Sequence, residues 1–327
     1  MTSTELLPGA DGVVAEREAL TLVDSRSMPW QDWDGMPGSR IKTFVRGSAG
    51  EPLVYLTWSP PRLGGGGEPH RHYHRTVREY HYVLDGEVPI WEYDSADQQH
   101  GDFLLFRAGY YMDRQPGSLH GIEPVPTTPV ARTMLCWRER SGTYLGEADF
   151  HEETEVVPYR PGWRPVVARE TPPDRADGLV RDRGGLTLLD SRAMPWEPFH
   201  GIPGGGAQKV LARDARGEPS VFLTWSPPGA IPGLELPHRH HHRTVTENVF
   251  VLAGEFPHWE YPDPEGPGEL AVFRAGWFMQ RRPGPAGVHG LEPGPVSSSG
   301  RLLLCWRDGT GNYVGDADYG EETVIVA

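Results

Sequence analysis

One pattern constrains this chain more than any other, a histidine-rich stretch that occurs twice. Residues 69–87 read PHRHYHRTVREYHYVLDGE and residues 237–255 read PHRHHHRTVTENVFVLAGE. In each copy three histidines occupy alternate positions (with His241 filling a gap in the second), a glutamate follows, and an apolar run ends in Gly-Glu. Alternation is the period of a β-strand, so His70, His72 and His74 share one face, as do His238, His240 and His242. A further histidine element follows in each copy, at His120-Gly121 and His289-Gly290.

The repetition reaches far beyond the histidines. LTLVDSRSMPW (20–30) is matched by LTLLDSRAMPW (186–196), and LTWSPP occurs at 56–61 and 223–228. WEY (91–93 and 259–261), FRAG (106–109 and 273–276) and LCWR (135–138 and 304–307) follow in the same order. This is internal duplication, and it predicts two similar domains. The expected division is a tail over 1–18, a first domain over 19–157, a Pro- and Arg-rich linker over 158–184, and a second domain over 185–327.

Within each copy the segments are short, aromatic and β-branched. They are broken by turn residues drawn from 41 glycines and 33 prolines. Amphipathic helical patterns of ten or more residues are absent, so the expected class is all-β, with each half an antiparallel sandwich or barrel. The net charge of −14 argues against a nucleic-acid surface. No apolar run approaches the roughly 20 residues of a membrane span. MTSTELLPGADG lacks the basic start and apolar core of a secretory signal. Cys136 and Cys305 occupy equivalent places and are expected as buried thiols, which fits a reducing, cytoplasmic setting.

A divalent ion needs ligands converging from a cavity wall. Two imidazoles at i and i+2 supply this, with a carboxylate from the next strand and a histidine from a third. His72, His74, Glu79 and His120 make one such set; His240, His242, Glu247 and His289 make the other. Nitrogen and carboxylate donors with open positions suit Fe(II), Mn(II), Ni(II), Cu(II) or Zn(II), up to two ions per chain. His70 and His238 share the face but lie a step beyond, and are expected at the rim.

At these residues the chain resembles the cupin superfamily. Gly66, His72-Tyr73-His74, Glu79 and Gly86 match the spacing of the first cupin motif. His240, His242, Glu247 and Gly254 repeat it, with Gly233 in the leading place. PGSLHG (116–121) and PGPAGVHG (283–290) resemble the second motif. The resemblance covers nearly the whole chain and implies two tandem cupin barrels of the double-stranded β-helix, or jelly-roll, type: a bicupin.

Other residues could act beside a metal. If Glu79 faces inward, so does His81, whose counterpart is Val249; His81 is therefore a candidate acid/base group of the first cavity, or a hydrogen-bonding residue there. Tyr111, matched by Phe278, is the second catalytic candidate. These two make the first barrel the expected busier site. Arg107, Arg114, Arg274, Arg281 and Arg282 could clamp a carboxylate or simply form ion pairs. P-loop, dinucleotide and serine-nucleophile patterns are absent.

The resemblance implies a metal-dependent oxidoreductase, a dioxygenase using O2 and Fe(II) on a small phenolic or carboxylic substrate. Two alternatives stand beside it: a non-oxidative lyase, decarboxylase or isomerase, and a non-catalytic sensor similar to the cupin domain of zinc-binding anti-sigma factors. A homodimer is expected by the same resemblance.

Overall fold

The fold is that of a computed structural model, which describes residues 6–33, 38–47, 50–61, 70–122, 130–139, 154–162, 177–199, 206–215, 217–230, 238–263, 265–291, 295–297, 299–308 and 323–326. Gly66, Gly233 and most of the expected linker lie outside these residues. Among the described residues every strand pairing is antiparallel, and no helix is long and apolar enough to cross a membrane.

The chain forms two compact units. The first barrel is Trp30–Pro195, and the second combines Met1–Pro29 with Trp196–Ala327. In the first, an eight-stranded sheet runs Leu179–Arg183, Leu186–Asp190, Tyr110–Arg114, Arg78–Asp85, Arg132–Glu139, Pro52–Ser59, Arg40–Arg46, Gln31–Asp32. A five-stranded sheet runs Thr154–Val156, His70–His74, Leu119–Ile122, Glu87–Tyr93, Asp102–Arg107. The second barrel repeats both sheets. Its five-stranded sheet holds His238–His242 between His289–Leu291 and Thr323–Val326.

The repeat boundary is not the structural boundary. Leu20–Asp24 opens the first repeat, yet it pairs with Trp277–Arg281 in the second barrel. Leu186–Asp190 opens the second repeat and pairs with Tyr110–Arg114 in the first. The expected divisions at 157 and 185 therefore shift, and the supposed tail contains a strand, Val13–Glu16, of the second barrel's sheet. The exchanged segments are anchored. Buried Arg181 reaches Asp102 at 2.7 Å and Asp94 at 2.6 Å, and Leu6 donates its N–H to the Leu270 carbonyl at 3.1 Å.

Apolar side chains at alternate positions build each core. Val83, Phe106, Tyr110, Met112 and Leu188 pack in the first barrel; Val251, Phe273, Trp277, Met279 and Leu22 pack in the second. The motif glycines have a steric cause. Gly86 and Gly254 both turn at φ 78°, and a Cβ there would fall 1.9 Å from the Ala131 carbonyl oxygen and 1.8 Å from that of Gly300. Only glycine fits so tight a hairpin.

Candidate metal centres

The histidine strand of the first barrel pairs with Leu119–Ile122 so that His72 stands opposite His120. The second barrel sets His240 opposite His289. Directly opposed residues share a face, and the i, i+2 partner joins them on it. His72, His74 and His120 thus bring one donor atom each to within 4.8 Å of one another, and His240, His242 and His289 do the same. His74, His120, His242 and His289 are buried.

Hydrogen bonds orient the rings. His120 Nδ1 lies 3.0 Å from the Ser118 carbonyl, and His289 Nδ1 lies 2.7 Å from the Gly287 carbonyl. A carbonyl can only accept, so each Nδ1 carries the proton and each Nε2 keeps its lone pair for the cavity. That is the arrangement of an imidazole presented to a metal. His74 Nδ1 is held similarly, 3.2 Å from Thr154 Oγ1. Burial pushes His120 and His289 well below the usual imidazole range, so both stay neutral and able to bind a cation.

Glu79 and Glu247 approach these rings from the eight-stranded sheets. Glu79 lies 3.5 Å from His74 Nε2 and 4.0 Å from His120 Nε2. Glu247 lies 3.1 Å from His242 Nε2 and 3.5 Å from His289 Nε2. Two donors bound at about 2.1 Å to one ion stand about 3–3.5 Å apart; both Glu247 pairs and the Glu79–His74 pair lie within that span, and the Glu79–His120 pair lies beyond it at 4.0 Å. The carboxylates have other partners too. Glu79 accepts from Arg114 at 3.4 Å and Arg138 at 3.1 Å; Glu247 accepts from Arg281 at 3.2 Å and Arg307 at 3.3 Å. The tight clusters are therefore the histidine triads, with each glutamate shared between ring nitrogens and guanidinium groups. Burial alone would raise Glu79 and Glu247, but neighbouring histidines and arginines overcome it and hold both well below the usual carboxylate range.

Arg114 and Arg281 are ion-pair residues, not free clamps. Each bridges its metal-site glutamate to a second buried carboxylate, Glu92 or Glu260. The roles of Arg138 and Arg307 were not anticipated from sequence. Their place at the end of each LCWR repeat, two residues beyond an inward cysteine, is the signal that could have found them.

His81 stands where expected, two residues from Glu79 on the same strand face and opposite Cys136 and Met112. Burial lowers it to about 4, against the pull of Glu79, so it is a neutral hydrogen-bonding imidazole near neutral pH and a weak base. Tyr111 is not brought to the site. It stands on the sheet face opposite Met112 and Arg114, is fully buried, and stacks on Trp137 at 6.2 Å. The side chains of His70 and His238 lie outside the described residues.

The second cavity is not the apolar one that Val249 suggested. His258 lines it, at the position of Ile90 in the first barrel, with Nδ1 3.2 Å from Glu260 and its ring 5.4 Å from that of His289. The cavity measures about 170 Å³, and its walls include Phe199, Phe222, Phe256, Val249, Met279 and Leu303. Cys305 lines it as well, while Cys136 is buried; both are free thiols pushed by burial to about 12.

No family model matches the chain. By sequence, 195 residues are 27% identical to a ribonuclease of Thermus thermophilus, a match over 58% of this chain that spans only 40% of that protein. By structure, the chain is similar to a candidate dioxygenase from Nostoc punctiforme, with TM-score 0.57 and 14% identity over 94% of this chain and 87% of that one. A candidate glyoxylate-induced protein from Pseudomonas aeruginosa gives 0.52 and 13% over 94% and 96%. Ylba from E. coli gives 0.50 and 10% over 92% and 95%. Identities at this level speak to the fold.

Proposed function

We propose that this chain, a bicupin by fold, is a metal-dependent enzyme acting on a small oxygen-bearing organic substrate, with one divalent ion in each barrel. The observation that carries the reading is the convergence of three histidines per barrel, two of them with Nδ1 tied to a carbonyl or hydroxyl in the first and one in the second. A divalent ion held there supplies Lewis-acid polarisation of a substrate oxygen and, where it is iron, reactivity toward O2.

The chain's own residues do the rest. Arg114 with Arg138, and Arg281 with Arg307, fix each glutamate beside the imidazoles. The apolar walls of the second cavity exclude water and select a substrate with an aromatic or aliphatic body. His81 and His258 offer one neutral imidazole per barrel for orienting a substrate hydroxyl or carboxyl. The finer reading is a dioxygenase with Fe(II), with Mn(II), Ni(II), Cu(II) or Zn(II) as the other ions this donor set suits. Nucleic acid is not the proposed substrate, since a net charge of −14 repels phosphate.

The test is O2 uptake by Fe(II)-loaded protein mixed with phenolic and carboxylic acids. Consumption of O2 with two oxygen atoms in the product supports a dioxygenase. Turnover without O2 replaces it with a lyase, decarboxylase or isomerase, and binding without turnover replaces it with a sensor.

A further inference from the structure

The strand Arg301–Asp308 presents Leu303, Cys305 and Arg307 to the second cavity. By the two-residue period Arg301 belongs to the same face. It is 5% exposed, and its guanidinium lies 4.7 Å from the centroid of the Phe256 ring, part of the cavity wall. Among the described residues it has no carboxylate and no hydrogen-bond acceptor, and its Nε is wholly buried. The other deeply buried arginines all have acceptors, although Nε of Arg114, Arg181 and Arg281 is unpartnered as well. Arg71 donates to four backbone carbonyls, Arg114 to Glu79 and Glu92, Arg181 to Asp94 and Asp102, and Arg281 to Glu247 and Glu260. A buried cation without an anion is costly, and burial pushes Arg301 down to about 10.

A second orphan stands beside it. Ser226 is the cross-strand partner of Arg301, is 3% exposed, and its Oγ has no hydrogen-bond partner among the described residues. The first barrel closes the equivalent hydroxyl, where Ser59 Oγ lies 2.9 Å from Ser39 Oγ. Strand register puts Gly206 in the second barrel where Ser39 stands in the first, so that partner is missing.

We propose that Arg301 and Ser226 form an anion subsite of the second barrel, taking the carboxylate of a small aromatic acid. The acid's ring lies along Phe256 and Leu303, and its far end points toward His240, His242 and His289. The planar guanidinium fork matches a carboxylate, and the Ser226 hydroxyl adds a third donor. The mostly apolar wall of a cavity of about 170 Å³ favours an aromatic carboxylate over a phosphate or sugar. This inference rests on the second cavity being a substrate site, and it names the substrate's chemical class.

Benzoate is the probe, with benzamide as its uncharged counterpart, titrated into metal-loaded full-length protein by calorimetry. The same titration follows the Arg301 Nε–H resonance in arginine-labelled protein. The expected result is saturable benzoate binding that shifts this resonance. Arg301→Met weakens it about tenfold or more, Ser226→Ala weakens it less, and the metal content of both variants is unchanged. Arg301→Lys, which keeps the charge without the fork, falls between and guards against misfolding of the methionine variant. Equal binding of benzamide, unaltered benzoate binding by Arg301→Met and Arg301→Lys, or no saturable binding by the wild type overturns the subsite. Benzoate binding that depends on Arg301 in protein stripped of metal sustains the subsite even where the metal reading fails.

Discussion

His258 and Glu260 stand two residues apart on one strand of the second barrel, with Nδ1 and Oε1 3.2 Å apart, whereas the first barrel places Ile90 beside Glu92. The substitution divides two otherwise matched carboxylates. Burial raises Glu92, with Arg114 opposing it only in part; at Glu260 Arg281 and His258 together overcome burial and lower it. His258→Ile, which installs the first barrel's arrangement, is expected to cost about 1–2 kcal/mol in urea unfolding while leaving metal content intact. Loss of metal from the second barrel would instead make His258 a ligand.

Glu79 sits between two ring nitrogens and two guanidinium groups. Glu79→Gln keeps its shape but leaves Arg114 and Arg138 facing a neutral amide. Unfolding of metal-free protein should show a loss of about 3–5 kcal/mol, the scale of breaking a buried ion pair from one side. Glu92→Gln should cost less, since Glu92 pairs with Arg114 alone among the guanidinium groups near the metal site.

Acid should destabilise metal-free protein in two stages. His81, His120 and His289 are lowered by burial, and Glu79 and Glu247 are lowered by their cationic neighbours against the effect of burial. Each of these groups takes up protons more readily in the unfolded chain than in the barrel, so falling pH favours unfolding. The histidine contribution is complete above about pH 6.5 and is lost as pH falls from there toward the folded values; the carboxylate contribution is lost below about pH 4.5. Urea midpoints measured from pH 8 to 4 should fall from about pH 6.5 downward, and a flat profile would contradict the burial of these rings.

Both thiols are held far from ionisation, at about 12. Iodoacetamide at pH 8 should therefore leave Cys136 and Cys305 largely unmodified in folded protein and alkylate both in denaturant. Rapid labelling of Cys305 alone would show the second cavity open to reagent.

The exchange of leading strands defines the folding units. A fragment of residues 30–195 should melt cooperatively. A fragment of 19–157 should not, because it lacks Leu179–Arg183 and Leu186–Asp190, which close the first barrel's sheet. Circular dichroism melts of the two compare them directly.

The histidine triads were legible because a period of two and a duplicated order are both properties of sequence. The glycines at 86 and 254 were legible for a steric reason. Strand exchange was not, since two repeats with the same leading segment, LTLVDSR and LTLLDSR, fit either barrel equally well. Tyr111 was misplaced because two adjacent tyrosines both suited the pattern, and the register turned Tyr110 and Met112 into the first core. His258 was not legible from the strand bearing Glu247, where Val249 replaces His81, because it stands on the following strand. Counting two residues back from Glu260 would have found it.

We propose that each barrel holds one divalent ion on its three histidines. The measurement that decides it is metal analysis of protein purified without chelator and reloaded with Fe(II) or Mn(II). The expected content is about two equivalents per chain in the wild type, about one after His72→Ala with His74→Ala, about one after His240→Ala with His242→Ala, and none when all four are replaced. Content that does not change with these histidines would show that the triads hold no ion.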